Sequence, residues 1–114
     1  MSVIIYHNPR CSKSRQTLAL LEEKGIEPEV VKYLETPPSV EQLKTLYSQL
    51  GASSVREMIR VKEDIYKELS LADANDEALF NAMANNPKLI ERPIVVANGK
   101  AKHGRPPEQV LEIL

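Results

Sequence analysis

The chain has 114 residues, 42% hydrophobic and 27% charged, which fits one globular domain able to bury an ordinary core. A net charge of −1 excludes a global field that steers the protein to nucleic acid or to an anionic membrane, so neither partner is expected. A single cysteine excludes an internal disulfide and a cysteine-built metal site, and it makes any redox cycle depend on a thiol from another molecule. No stretch approaches the roughly 18 apolar residues of a membrane span, and the start of the sequence lacks the basic segment of a signal peptide. The expected location is the cytoplasm.

In chain order, Val3-Ile4-Ile5-Tyr6 is a short apolar run rich in β-branched residues and reads as a buried strand. His7 to Arg10 is a loop punctuated by Pro9. A helix is expected from Cys11 or Ser12, with Leu18 and Leu21 on one face, Lys24 in the last turn and Gly25 as the cap. Glu29 to Tyr33 reads as a second strand, parallel to the first. After Thr36-Pro37-Pro38, Ser39 with Gln42 forms a capping box, Leu43, Leu46, Tyr47 and Leu50 keep helical spacing, and Gly51 ends the helix. Ser54 with Glu57 repeats the pattern, and Ile65, Leu69, Leu79, Phe80 and Met83 mark further helical pieces. Residues 39–86 therefore read as a helical insertion. Pro93 to Val96 is a strand, Asn98-Gly99 a type I′ hairpin turn, and Lys100 to His103 the returning strand. Pro106 and Pro107 precede a last helix expected over Glu108 to Leu114. The order is βαβ, helices, ββα: an α/β protein with a mixed four-stranded sheet. It is the order of a thioredoxin-like fold, one domain over 1–114, with a helical subdomain inserted near 39–86.

The chemistry centres on Cys11. Helix N-termini expose unpaired N–H groups and about half a positive charge, and both stabilise a thiolate. A free thiol with a pKa of about 8.5 is only about 3% ionised at neutral pH, so such help decides whether it reacts. A lone cysteine is most often a small buried hydrophobe. Here its neighbours are Arg10, Ser12 and Lys13, and a polar junction of loop and helix is a poor place to bury a thiol. Arginine supplies the planar, always-charged donors that a tetrahedral oxyanion needs, although most arginines are simply solvated. His7 and His103 with one cysteine do not make a metal site, and no metal is expected.

His7-Asn8-Pro9-Arg10-Cys11-Ser12-Lys13-Ser14-Arg15 resembles the His-x3-Cys-x3-Arg signature of the glutaredoxin-dependent arsenate reductases. Tyr33 to Pro38, Ser54 to Arg60, Ile90 to Val96 and Gly104 to Glu108 resemble further blocks of that family, in the family's order and across almost the whole chain. The resemblance implies that the Cys11 thiolate attacks arsenate or a similar oxyanion and forms a covalent arsenic–sulfur adduct. Glutathione as co-substrate and glutaredoxin as partner then supply the reducing thiols, with no bound cofactor. It implies that Arg60, Arg92 and Arg105 hold the oxyanion, that His7, Ser14 and Arg15 tune the cysteine, and that Pro93 is cis beside the site. Arg56 and Arg10 are read as surface arginines.

Three other readings bear on this sequence. Phosphatase-like arsenate reductases use Cys-x5-Arg, which would place arginine where Thr17 stands. Thiol-stress transcription regulators of the same superfamily typically carry Cys-x2-Cys, and Ser14 occupies the second position. A monothiol glutathione-linked reductase needs only the one cysteine.

Overall fold

A computed structural model describes residues 2–114. The chain forms two compact units: one runs to Thr36 and resumes over Arg92–Leu114, and the other is the continuous stretch Pro37–Glu91.

In the first unit, β1 (Val3–Tyr6), β2 (Glu29–Val31), β3 (Ile94–Ala97) and β4 (Lys100–His103) build one mixed sheet in the order β2-β1-β3-β4. β1 and β2 are parallel, with Ile5 opposite Val30, while β1–β3 and β3–β4 are antiparallel. Successive strand residues face opposite sides of a sheet. Val3 and Ile5 of β1 and Val95 and Ala97 of β3 accordingly enter one core cluster with Leu21, Val110 and Ile113. Burying each such aliphatic side chain contributes about 1.5–3 kcal/mol. Helix α1 (Ser12–Glu23) supplies Leu21 and the flanking Leu18 and Leu20. Gly25 at φ +77° reverses the chain after it, so the Ile26 N–H reaches back to the Leu21 carbonyl at 3.0 Å and Ile26 joins the core.

Two expectations differ here. β2 ends at Val31, not Tyr33, because β1 ends at Tyr6 and offers no partner beyond it. The chain instead turns, with the N–H groups of Glu35 and Thr36 both on the Lys32 carbonyl. The last helix is a 3₁₀ run over Pro107–Ile113 instead of an α-helix over Glu108 to Leu114. Its buried residues, Pro107, Val110 and Ile113, recur every third position, and three residues per turn stack them in one row.

The second unit holds α2 (Val40–Leu50), α3 (Asp64–Glu68) and α4 (Asp76–Asn85), with 3₁₀ turns at Val55–Met58, Leu71–Asp73 and Pro87–Leu89. The Ser39–Gln42 capping box is formed in both directions, with the Gln42 N–H on Ser39 Oγ at 3.1 Å and the Ser39 N–H on Gln42 Oε1 at 2.9 Å. The Ser54–Glu57 box forms as well, but it opens a 3₁₀ turn. Leu43 and Leu46 of α2 and Leu79, Phe80 and Met83 of α4 are buried, and Tyr47 meets Phe80 edge-on at 5.9 Å. Arg56 is no solvated surface arginine. Its guanidinium donates to Tyr66 Oη and to the carbonyls of Leu71, Ala72 and Ala74, tying the turn after α3 to the segment before it. Among the described residues, no helix is long and apolar enough to cross a membrane.

The β3–β4 hairpin offers a direct test of the turn. Asn98 and Gly99 both have positive φ, as a type I′ turn requires, and Asn98 Nδ2 donates to the Ile113 carbonyl at 2.8 Å. Asn98→Gly should lose only that bond, about 1 kcal/mol. Asn98→Ala should lose the bond and also force a Cβ residue without asparagine's tolerance into the left-handed region, for about 2–3 kcal/mol in total. Urea unfolding of the two variants reads the difference.

Candidate active site

The loop between β1 and α1 is fixed by its own polar groups. The Asn8 N–H donates to Ser14 Oγ at 3.0 Å, the Arg10 N–H to Asn8 Oδ1 at 3.0 Å, and the Cys11 N–H to the Asn8 carbonyl at 3.0 Å. Arg15 Nη1 donates to the Pro9 carbonyl at 2.9 Å. This network leaves Cys11 in extended backbone (φ −92°, ψ 123°) as the N-cap of α1. Cys11 is 8% exposed, so the junction does bury its thiol. The sequence argued against burial from the polarity of Arg10, Ser12 and Lys13. Arg10 and Ser12 are exposed and Lys13 is half-buried, while the Ser14 and Lys13 N–H groups and the Arg92 guanidinium meet the sulfur.

Burial alone pushes the Cys11 thiol up. The Ser14 N–H, the Arg92 guanidinium as donor and as charge, and the Lys13 N–H outweigh it, and the net direction is down. The neutral sulfur makes no capping hydrogen bond of its own. On ionisation it becomes the acceptor that the free N–H groups of the first turn lack.

His7 pairs with Ser14. Its Nδ1 lies 2.7 Å from Ser14 Oγ, and both residues are buried. Ser14 Oγ also accepts from the Asn8 N–H at 3.0 Å, so one hydroxyl joins the loop backbone to the imidazole. Burial lowers the His7 pKa, with Lys32 and Arg15 adding to the effect, which agrees with a neutral ring.

Arg92 and Arg105 arrive from the other end of the first unit. The Arg92–Pro93 bond is cis, and so is Arg105–Pro106, which the sequence did not suggest. Arg105 Nε donates to the Arg92 carbonyl at 2.8 Å, so the two arginines occupy one corner. Gly104 makes the approach possible. Its N–H donates to the Pro93 carbonyl at 3.0 Å, and a Cβ at 104 would collide with the Thr17 hydroxyl of α1 and lie 2.9 Å from Pro93 Cγ. Gly104 and Thr17 thus set the spacing between α1 and the Arg92–Pro93 segment. Neither stood out in the sequence, where the one signal was a glycine directly after a strand.

Arg60 belongs to the second unit. Its N–H donates to the Leu89 carbonyl at 2.7 Å, and its guanidinium is loosely paired with Glu63 at 3.7 Å and Glu91 at 4.0 Å. Among the described residues, no group of three or more His, Cys, Asp or Glu is placed to hold a metal ion.

The sequence model of the ArsC family matches residues 6–113. The chain belongs to the ArsC family. YfgD of Escherichia coli K12 is 67% identical over 114 residues, covering 98% of this chain and 96% of its own. A protein of Neisseria meningitidis serogroup A named arsenate reductase is 57% identical over 112 residues, covering 96% of each chain. The solved structure of an arsenate reductase from Vibrio cholerae superposes with a TM-score of 0.98 at 72% identity, over 100% of this chain and 98% of its own. The ArsC fold is thioredoxin-like, as the element order indicates.

Cys11 ionises more readily than an ordinary thiol, and this fixes the sign of two measurements. Arg92→Ala should raise the midpoint of thiolate absorbance, because a donor and a positive charge are lost together. Since the folded midpoint lies below that of the unfolded chain, ionised Cys11 stabilises the fold. That contribution is fully present above the ordinary thiol pKa and is lost as pH falls through the folded midpoint. The stability of wild type relative to Cys11→Ser should therefore grow from neutral to alkaline buffer, as read by urea unfolding.

Proposed function

We propose that this protein is a thiol-coupled arsenate reductase in which Cys11 is the nucleophile. The observation that carries the reading is the Cys11 sulfur at the start of α1, beside the Arg92 guanidinium and the first-turn N–H groups. The relatives named arsenate reductase support the choice of oxyanion.

Attack by the Cys11 thiolate on arsenate forms an arsenic–sulfur bond, and an arsenic-bound oxygen leaves as water. Glutathione and glutaredoxin are the proposed sources of the further thiols, since the chain has no second cysteine. Over the cycle, arsenate and two thiols give arsenite, one disulfide and water; arsenic gains two electrons, the outside sulfurs lose them, and Cys11 is regenerated. Arg92 and Arg105 are proposed to hold the oxyanion with charge-assisted hydrogen bonds, with Arg60 as a third holder. His7 and Arg15 act as positioning residues, His7 through the Ser14 hydroxyl and Arg15 through the Pro9 carbonyl. No resident cofactor enters the scheme, and the cytoplasm with its reduced thiols is the proposed setting.

The deciding experiment is arsenate reduction coupled to glutathione and glutaredoxin. Cys11→Ser should lower turnover by at least about a thousandfold, the scale of removing a covalent nucleophile. Arg92→Ala and Arg105→Ala should each raise the KM for arsenate roughly tenfold to a hundredfold, the worth of a charge-assisted hydrogen bond. Full activity in Cys11→Ser would end the assignment. Inertness to arsenate together with reduction of a glutathionylated peptide would make the protein a monothiol reductase instead.

A further inference from the structure

Thr17 is fully buried, and so is Ser14 one turn before it. With Leu21 they form the buried row of α1. A valine or leucine at 17 would bury more apolar surface, and a threonine hydroxyl on the inner face of a helix competes for that helix's own carbonyls. Position 17 is therefore an unfavourable place for a hydroxyl, and none of the chemistry described above uses it.

The hydroxyl has two neighbours. It donates to the Lys13 carbonyl at 2.8 Å, inside the first turn of α1. It also lies against Gly104, so closely that a Cβ there would collide with it. Each neighbour leads to a different stabiliser of the sulfur. Lys13 belongs to the turn whose N–H groups, its own and that of Ser14, meet Cys11. Gly104 is tied to the Arg92–Pro93 segment by its N–H on the Pro93 carbonyl at 3.0 Å, and Arg105 beside it donates to the Arg92 carbonyl at 2.8 Å. The Arg92 guanidinium meets the same sulfur as donor and as charge. One oxygen thus stands between the helix that begins at the cysteine and the segment that carries the arginine. An N–H donor loses its bond within a few tenths of an ångström beyond the usual range, so this separation has to be held.

We propose that Thr17 is a positioning residue for the reaction at Cys11: its hydroxyl braces the first turn of α1 through the Lys13 carbonyl and holds the Arg92–Pro93 segment at its distance through Gly104. Thr17 lies six residues past Cys11, about 9 Å along the helix axis, so it acts through these neighbours and not on the substrate. The proposal deepens the reading of Cys11 as the nucleophile and rests on it.

The test follows the midpoint of thiolate absorbance in the whole chain without arsenate, with Cys11→Ser as the blank. Thr17→Ser keeps the hydroxyl and should keep the wild-type midpoint. Thr17→Val keeps the shape, loses the donor and puts a methyl group against Gly104. It should raise the midpoint by about half a pH unit or more, against the roughly one to three that an adjacent charge supplies. Gly104→Ala closes the same contact from the other side and should repeat the rise, so the test does not hang on the folding of one variant. In an Arg92→Ala background the Gly104→Ala shift should shrink to about half or less, because the arginine it displaces is gone. A midpoint unmoved in both Thr17→Val and Gly104→Ala would overturn the proposal, whatever those variants lose in stability to urea. So would a Gly104→Ala shift that persists undiminished without Arg92. The two readings fail separately. If arsenate is not reduced but the midpoints follow Thr17 and Gly104, the arsenate assignment falls and the positioning role stands. If arsenate is reduced but the midpoints ignore both residues, the positioning role alone falls.

Discussion

Ser14 joins the two halves of the site through one residue. Its backbone N–H is the leading stabilising donor to the ionised sulfur, while its buried hydroxyl takes the Asn8 N–H and meets His7. Moving either partner moves the other, because a fully buried hydroxyl cannot turn to water for a substitute. The loop conformation, the first turn of α1 and the orientation of the imidazole are therefore one arrangement. The foremost stabiliser of the Cys11 charge is a backbone group, which cannot swing away as the Arg92 side chain can.

The arginines divide differently. Arg92 and Arg105 share a corner of the first unit, one contributing to the sulfur's ionisation and the other resting on its carbonyl. Arg60 sits in the second unit between two carboxylates. Arg56 spends its donors on a tyrosine and three carbonyls and is structural. Four residues of one type thus serve three ends, and only their partners tell them apart.

Much of the fold was legible because its signals are local. Val3 to Tyr6, the Ser39–Gln42 box, the Asn98–Gly99 turn and β4 each depend on residues within a few positions. The misses depend on distant partners. β2 stops where β1 stops, which no feature of Glu29 to Tyr33 encodes. The Pro107–Ile113 segment becomes 3₁₀ because its row of buried residues faces the sheet and α1. The polarity around Cys11 was read as exposure, yet the residue is buried, because a sequence lists its side-chain neighbours and not the backbone amides and the distant Arg92 that meet the sulfur. The contact between His7 and Ser14 was not legible, because it needs the loop to fold back over seven positions.

Gly104 shows that the distance between α1 and the Arg92–Pro93 segment is set by missing atoms. At Gly104 the gap admits nothing larger than hydrogen, with the Thr17 hydroxyl on one side and Pro93 Cγ on the other. The position therefore behaves as a gauge. Any heavier residue there would wedge the helix from the guanidinium, and the sulfur would lose ionic support without one of its own donors being replaced. Efforts to retune this cysteine by altering the visible polar groups would leave this control untouched, because it resides in a side chain that is not there.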